Sequence, residues 1–188
     1  PGGHRVSTAG SLRRMKETIG DLDLLAASRT PSKVMQAWCA APFCTRVLAA
    51  GITKTSILTP DGVQVDLRVV KPESFGAALQ YFTGSTEHNV NVRELAIRKG
   101  LKVNEYGVFN TKTNAPLAGR EEVDVYRAVG LPWIPPELRE DSGEIDAARA
   151  GRLPDLVEPE DLRGDFHIHT RWSDGSDELN EMASAGAR

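Results

Sequence analysis

The run Asp21-Leu22-Asp23-Leu24-Leu25 constrains this chain more than any other stretch. Acid and apolar residues alternate over its first four positions, the period of a strand with one wet face, so Asp21 and Asp23 project from the same side. A second alternating stretch, Val63-Gln64-Val65-Asp66-Leu67-Arg68-Val69, carries Asp66, which can join them from a neighbouring strand. A solvated sheet face gives the same pattern, so alternation alone leaves two readings open. If three carboxylates do converge they repel one another, and oxygen-preferring divalent cations, Mg²⁺ or Mn²⁺, are the usual stabilisers. Two such ions about 4 Å apart can activate an attacking hydroxyl and stabilise the leaving oxygen of an in-line phosphoryl transfer.

The 188 residues, 40% hydrophobic and 26% charged, allow one sizeable core or two small domains and exclude collagen-like, coiled-coil and wholly disordered classes. The formal net charge of −3 hides an asymmetry. Residues 1–136 carry 17 Lys and Arg against 12 Asp and Glu, and residues 137–188 carry 6 against 14, so a polyanion would be held by the first part. Cys39 and Cys44 make neither a disulfide framework nor a four-ligand zinc site, which makes a reducing compartment the default, with Cys39 a small buried hydrophobe. No apolar run approaches the roughly 20 residues of a membrane span. A soluble, cytoplasmic chain with no membrane partner is therefore expected. It begins at Pro1 without an initiator Met and stops just after a motif has opened, which reads as a fragment of something longer.

Along the chain, residues 5–9 read as a strand entering a turn at Gly10-Ser11, and residues 11–17 as about two helical turns. Thr30-Pro31 opens a helix to about Ala41. Strands are expected at 43–50, 52–59 and 63–69, the last after a Pro60-Asp61-Gly62 turn. Pro72 starts a helix whose Phe75, Ala78, Leu79 and Phe82 form an apolar stripe that needs a core. Ser85 can cap the next helix, to about Lys99, in which Asn89 and Arg93 lie one turn apart. Short strands near 101–104 and 108–110 and a helix near 120–129 follow. Residues 137–161, with nine acids and three arginines, read as an acidic, partly helical connector. His4 and His88 are expected at the surface.

Gly10-Ser11-Leu12-Arg13-Arg14, then Gly20-Asp21-Leu22-Asp23, resembles the nucleotidyltransferase signature of the family X DNA polymerases, those similar to DNA polymerase beta. Tyr81-Phe82-Thr83-Gly84-Ser85 resembles that family's palm–thumb junction, where the Tyr-Phe pair approaches the sugar of the incoming nucleotide. The resemblance covers about residues 1–130. It implies an α+β fold: a nucleotidyltransferase palm (1–84), made of a mixed β-sheet with flanking helices, then a small α/β thumb (85–136) and an acidic linker (137–163). It further implies that Asp21, Asp23 and Asp66 hold two Mg²⁺ or Mn²⁺ ions and that Asp66 orients the primer hydroxyl. Gly10, Ser11, Arg14, Gly20, Tyr81, Phe82, Gly84 and Asn89 would bind the deoxynucleoside triphosphate, with Arg13 beside Arg14 as a cationic fork. Arg68, Arg93, Glu105 and Tyr106 would serve the DNA side, Arg68 pairing with Glu105. Two residues depart from the vertebrate pattern: Gln64 replaces an Arg near the primer end, and Thr86 replaces an Asp beside the incoming base.

A second motif, Asp165-Phe166-His167-Ile168-His169-Thr170 followed by Ser173-Asp174-Gly175, places two histidines at i and i+2, on one face if they lie on a strand. It resembles the opening of the polymerase and histidinol phosphatase (PHP) domain, a distorted barrel that hydrolyses phosphoesters. That implies the first strand of a truncated PHP barrel at 164–188, with His167, His169 and Asp174 as Mn²⁺ or Zn²⁺ ligands and no phosphoesterase activity without the rest of the set. The leading expectation is a monomeric, nucleoid-associated polymerase that adds deoxynucleotides to a primer in gapped DNA during repair. The alternatives are a DNA-binding piece with little turnover, because the family's amino-terminal domain and fingers are missing here, and, in a longer chain, a PHP-type exonuclease. A net charge of only +5 over residues 1–136 predicts modest, steeply salt-dependent affinity for duplex DNA.

Overall fold

The computed structural model describes residues 5–164 and 167–186; His4, Asp165 and Phe166 lie outside them. The described residues divide between two units, one reaching to Leu153 and the other starting at Pro154.

The first unit opens with β1 (Val6–Thr8), α1 (Gly10–Arg13), β2 (Leu22–Ala27), α2 (Pro31–Cys39), β3 (Arg46–Ala50), β4 (Lys54–Leu58) and β5 (Gln64–Val70). The strands form one mixed sheet in the order β1-β2-β5-β4-β3, in which only the β2–β5 pair is parallel. β2 lies inside this sheet, between β1 and β5, and past Asp23 both of its faces are covered. Leu25 and Ala27 pack on one side with Phe75, Ala78 and Leu79, while Ala26 packs on the other with Met35, Leu67 and Val69. The helix expected over 11–17 stops at Arg13, because the chain folds back there and Met15 takes a positive φ of 55°. Cys39 is half-buried rather than enclosed.

Helices α3 (Phe75–Thr83) and α4 (Thr86–Arg98) follow, with the Ser85 hydroxyl accepting from the His88 N–H at 3.2 Å, as the expected cap requires. Then come β6 (Leu101–Asn104), β7 (Gly107–Asn110), β8 (Pro116–Ala118) and α5 (Glu122–Val129). β6, β7 and β8 form a second, antiparallel sheet, whose edge strand β8 carries Pro116 and no alternation and so was not expected. Helix α3 joins the two halves. Its Phe75, Ala78 and Leu79 face the first sheet, as the stripe predicts, while Ala77 packs with Val92, Val108, Val125 and Tyr126 in the other core. Gly76 makes this double burial feasible, since a Cβ there would lie 2.1 Å from the Glu121 carbonyl carbon.

The expected linker at 137–163 begins too early. Residues up to Leu153 belong to the first unit, where Arg139 is fully buried and α6 (Glu144–Arg149) places Ala148 in the second core. The physical reason is a shared carboxylate. Glu122, at the start of α5, accepts from Arg13 Nη1 and Nη2 at 2.8 and 2.9 Å, from Arg139 Nη1 at 2.7 Å and from Trp133 Nε1 at 2.8 Å. Burial works against ionisation of Glu122, but the two guanidinium groups outweigh it and hold its pKa down at about 2. The acids of 137–153 are therefore not all solvated; the sequence shows their charge and not their distant partners.

The second unit holds α7 (Leu179–Gly186) and a short turn of helix at Pro159–Asp161 closed by a capping box from Glu158 and Asp161. Among its described residues there is no strand, so the strand expected to carry His167 and His169 is absent there; a strand needs a pairing partner for its backbone groups. No described helix is long and apolar enough to cross a membrane.

The shared carboxylate gives a test. Glu122→Ala leaves two guanidinium groups without their counter-charge and is expected to cost about 3–5 kcal/mol, lowering the thermal midpoint by roughly 10 °C. A carboxyl held at about 2 rather than 4.5 contributes stability that is complete above pH 4.5 and is lost as the pH falls toward 2, a window worth about 3 kcal/mol. Acid titration of unfolding should show this component in the parent protein and not in Glu122→Ala.

Candidate active site

Parallel pairing of β2 with β5 puts Asp23 directly beside Asp66 on the face of the sheet that α3 covers. Asp21 precedes β2 by one residue, rather than lying on it, and still acts on Asp23. Burial, then repulsion from Asp21 and Asp66, raises the Asp23 pKa, against the attraction of Arg68 and Lys54. The three carboxylates therefore crowd one another, as the alternation allowed.

Asp66 is buried, with 4% exposure, yet its pKa is lowered. Burial opposes ionisation, and hydrogen bonds from Lys54, Ser56 and Gln64 outweigh it. Lys54 Nζ lies 2.7 Å from one Asp66 oxygen and Gln64 Nε2 donates to the other at 3.0 Å. Lys54 was not anticipated. It starts β4, two residues before Ser56, which is the cross-strand neighbour of Asp66; period 2 puts Lys54 on the same face, but the register behind this cannot be read from one strand. No group of three or more His, Cys, Asp or Glu among the described residues is gathered as a metal site. The donor set nevertheless suits a hard cation: three mutually repelling carboxylates, one already holding an ammonium group.

The turn at Gly10-Ser11 closes onto this cluster. The Ala9 N–H donates to the Asp23 carbonyl at 2.8 Å, and Gly10 has a φ of 58° with no room for a Cβ, which would meet Asp23 Oδ2 at 2.2 Å. Ser11 is half-buried and Gly20 is exposed. Arg14 Nη1 donates to the Thr83 carbonyl at 2.6 Å and its Nε to Glu140 at 2.7 Å, which brings it against Gly84. Arg13 does not form the expected cationic fork, because both its terminal nitrogens bond Glu122 and one also reaches Thr83 Oγ1.

Tyr81 and Phe82 meet edge to face with ring centroids 5.1 Å apart, at the carboxylate end of α3. Arg68 does not pair with Glu105 among the described residues; its guanidinium stacks on Phe82 at 4.2 Å, and its buried Nε lacks a partner there. Asn89 is buried, its amide donating to the Tyr81 carbonyl at 2.7 Å and accepting from Gln80 at 2.7 Å. Arg93 and Glu105 are half-buried and Tyr106 is exposed, and no described hydrogen bond joins them to the carboxylates. The surface position expected for His88 is wrong. It is fully buried between Glu144 Oε1 at 2.6 Å and the Tyr126 hydroxyl at 2.9 Å, partners 56 and 38 residues away.

In the second unit, His167 and His169 meet without a strand, Nε2 to Nε2 at 2.8 Å, and His169 Nδ1 lies 2.5 Å from Asp174 Oδ1. That contact lowers the Asp174 pKa.

The family model described as DNA polymerase beta thumb matches residues 78–140, wider than the expected 85–136 and reaching the Glu122–Arg139 pair. The DNA polymerase/3′-5′ exonuclease PolX of Bacillus subtilis (strain 168) is 38% identical over 183 residues, which is 96% of this chain and 32% of that protein. Repair DNA polymerase X of African swine fever virus (isolate Tick/South Africa/Pretoriuskop Pr4/1996) is 27% identical over 142 residues, 71% of this chain and 80% of the viral protein. DNA polymerase lambda of Rattus norvegicus is 28% identical over 161 residues, 70% of this chain and 28% of the rat protein. The chain thus spans about a third of the length of the Bacillus relative.

Removing the ammonium group from Asp66 tests the electrostatic account. Lys54→Met should raise the Asp66 pKa, read from the pH dependence of its carboxyl ¹³C shift. An unmoved titration would show that Ser56 and Gln64 hold the carboxylate without Lys54.

Proposed function

The chain belongs to the family X DNA polymerases, and on that premise we propose that it adds deoxynucleotides to a primer 3′-hydroxyl in gapped DNA, acting as a monomer in cytoplasmic, nucleoid-associated repair. In the transfer, the primer 3′-oxygen bonds to the α-phosphorus, the bond from that phosphorus to the bridging oxygen breaks, and pyrophosphate leaves with its electron pair. The proton of the 3′-hydroxyl passes to solvent water. The observation that carries this reading is the pairing of Asp23 with Asp66 across parallel strands, beside Asp21 and under the Gly10 turn.

Asp21, Asp23 and Asp66 would hold two Mg²⁺ or Mn²⁺ ions, which supply charge neutralisation at the phosphoryl oxygens and a lowered pKa for the attacking hydroxyl. The rest falls to the chain itself. Asp66, kept ionised by Lys54, Ser56 and Gln64, faces the primer hydroxyl. Arg14 and the Gly10-Ser11 turn orient the triphosphate, with Gly20 beside them. Tyr81, Phe82 and Gly84 line the sugar, and Arg68, stacked on Phe82, couples that wall to the carboxylates. Arg93, Glu105 and Tyr106 serve the template side. Because phosphoryl transfer asks little covalent chemistry of a protein, such positioning and electrostatics supply most of the acceleration.

The second unit is read as the beginning of a PHP domain. His169 touches both His167 and Asp174, and the three have the donor chemistry for Mn²⁺ or Zn²⁺, with no phosphoesterase activity proposed for them alone.

Filling of a one-nucleotide gap in the presence of Mn²⁺ tests the polymerase reading. Asp66→Ala should lower the rate by at least about 100-fold, since it removes a group needed in the transition state. Equal extension by the parent and Asp66→Ala would overturn the assignment, and DNA binding without extension by either would favour a binding piece.

A further inference from the structure

Past Arg13 the chain turns back on itself and gathers two cations on one carboxylate. Met15 takes a φ of 55°, and the Lys16 N–H donates to the Ser11 carbonyl at 3.1 Å, so Lys16 belongs to the same turn as the Gly10-Ser11 backbone. Glu140 lies against that turn. One of its oxygens accepts from Arg14 Nε at 2.7 Å, and the other lies 3.5 Å from Lys16 Nζ. The side chains of Arg14 and Glu140 are 15% and 29% exposed, that of Lys16 45%. A charge-assisted bond screened from water to this degree is stronger than an ordinary surface ion pair. The transfer described above uses neither Lys16 nor Glu140.

Glu140 is a fixed point rather than a mobile surface acid. The residue before it, Arg139, is fully buried, with its side chain on Glu122 and its carbonyl accepting from the Ser85 N–H at 3.0 Å. The residue after it, Asp141, takes a φ of 56° and accepts from the Asn91 amide at 2.6 Å. Both flanks are thus tied to α4, which Ser85 caps and on which Asn91 lies. Burial opposes ionisation of Glu140, but the hydrogen bond and charge of Arg14, with the charge of Lys16, outweigh it and lower its pKa, so the carboxylate is charged at neutral pH. Its effect on Arg14 is geometric. A guanidinium held at one nitrogen can rotate about that bond; held at Nε by Glu140 and at Nη1 by the Thr83 carbonyl, at 2.6 Å, its plane is set. Gly84 leaves the room for this, since a Cβ there would lie 3.0 Å from Arg14 Nη1.

We propose that Glu140 is a positioning residue that fixes Arg14 and draws Lys16 beside it, so that the polyphosphate of the nucleotide meets an Arg14–Lys16 pair in place of an Arg13–Arg14 fork. The proposal rests on the polymerase reading above and deepens it. Arg13 is occupied by Glu122, and the second cation comes from the far side of the turn. Two cations and one carboxylate leave the trio with a net positive charge. Lys16, the more exposed of the two, turns from Glu140 to a terminal phosphate while Arg14 keeps its place. The same pair meets pyrophosphate as it leaves, because the bond that breaks separates the α-phosphorus from the two outer phosphates.

Gap filling over a range of nucleotide concentrations, with folding checked by the thermal midpoint, tests this. Glu140→Ala is expected to raise KM for the nucleotide about tenfold with kcat within about twofold, since the outer phosphates are bound alike before and during the transfer. Glu140→Gln keeps an acceptor for Arg14 Nε but no charge for Lys16, so its rise in KM should stop at about threefold. Lys16→Met should raise KM by the same factor of about three in the parent and leave Glu140→Gln unchanged. That comparison carries the expectation by itself should Glu140→Ala fail to fold. An unchanged or lowered KM in Glu140→Ala, the result for a carboxylate that only repels phosphate, overturns the positioning role. So does a Lys16→Met effect of equal size in the parent and in Glu140→Gln. If the parent extends no primer, the polymerase assignment fails, and titration of inorganic pyrophosphate with Mg²⁺ into the chain, followed by its ³¹P resonance, decides the role of Glu140 alone. Binding weaker by about threefold in Glu140→Gln upholds it, and equal or tighter binding, or none by the parent, overturns it.

Discussion

The Glu122 carboxylate is the interaction on which the rest of the first unit depends. It is buried, it is shared by Arg13 and Arg139, and its three partners, Arg13, Trp133 and Arg139, come from two separate stretches of chain. Arg13 ends α1, which opens at the Gly10 turn against Asp23, so the ion cluster ties the start of α5 to the element that carries that turn. Arg139 extends the cluster to the segment past the second sheet, donating twice to the Ile134 carbonyl and lying over the Tyr126 ring. Such a cluster is costly to desolvate and stabilises mainly by being complete; its value lies in fixing one arrangement of the parts. Both halves of the site, the carboxylates and the Tyr81–Asn89 wall, are framed by it.

The carboxylate cluster has the opposite character. Glu122 is satisfied by its neighbours, and Asp66 by Lys54, Ser56 and Gln64, whereas the pKa of Asp23 is held up by burial and by repulsion from Asp21 and Asp66 that Arg68 and Lys54 do not offset. A folded protein that keeps such repulsion in its sheet has placed a local cost where a charged ligand can relieve it. The metal-dependent chemistry proposed for the chain would use that difference: the Glu122 carboxylate is closed by its partners, and the repulsion on Asp23 is left for a cation to relieve.

Much of this was legible in the sequence, and the boundary of legibility is physical. Period-2 alternation identified β2 and β5 and the carboxylates on them, Thr30-Pro31 identified α2, and Ser85 identified the start of α4, because these signals are local. The family resemblance singled out Tyr81, Phe82 and Asn89, which the structure brings together: the two rings meet edge to face and the Asn89 amide donates to the Tyr81 carbonyl. What was missed depends on partners far along the chain. Arg13 resembles a free phosphate ligand until Glu122 is beside it, His88 resembles a surface residue until Glu144 and Tyr126 enclose it, and residues 137–153 resemble a solvated connector until Arg139 is seen buried. Lys54 and β8 were missed for a related reason, since a strand's register and its edge position are properties of the sheet and not of the strand.

The central claim is that the three carboxylates gather two divalent cations around a nucleotide. Mn²⁺ titration followed by electron paramagnetic resonance measures this most directly, using the chain with His167→Ala and His169→Ala to silence the second unit, in the presence of gapped DNA and a non-hydrolysable deoxynucleoside triphosphate. Two nucleotide-dependent Mn²⁺ ions per chain are predicted, with at least one lost on Asp66→Ala. No nucleotide-dependent binding, or an unchanged count after Asp66→Ala, would contradict the account.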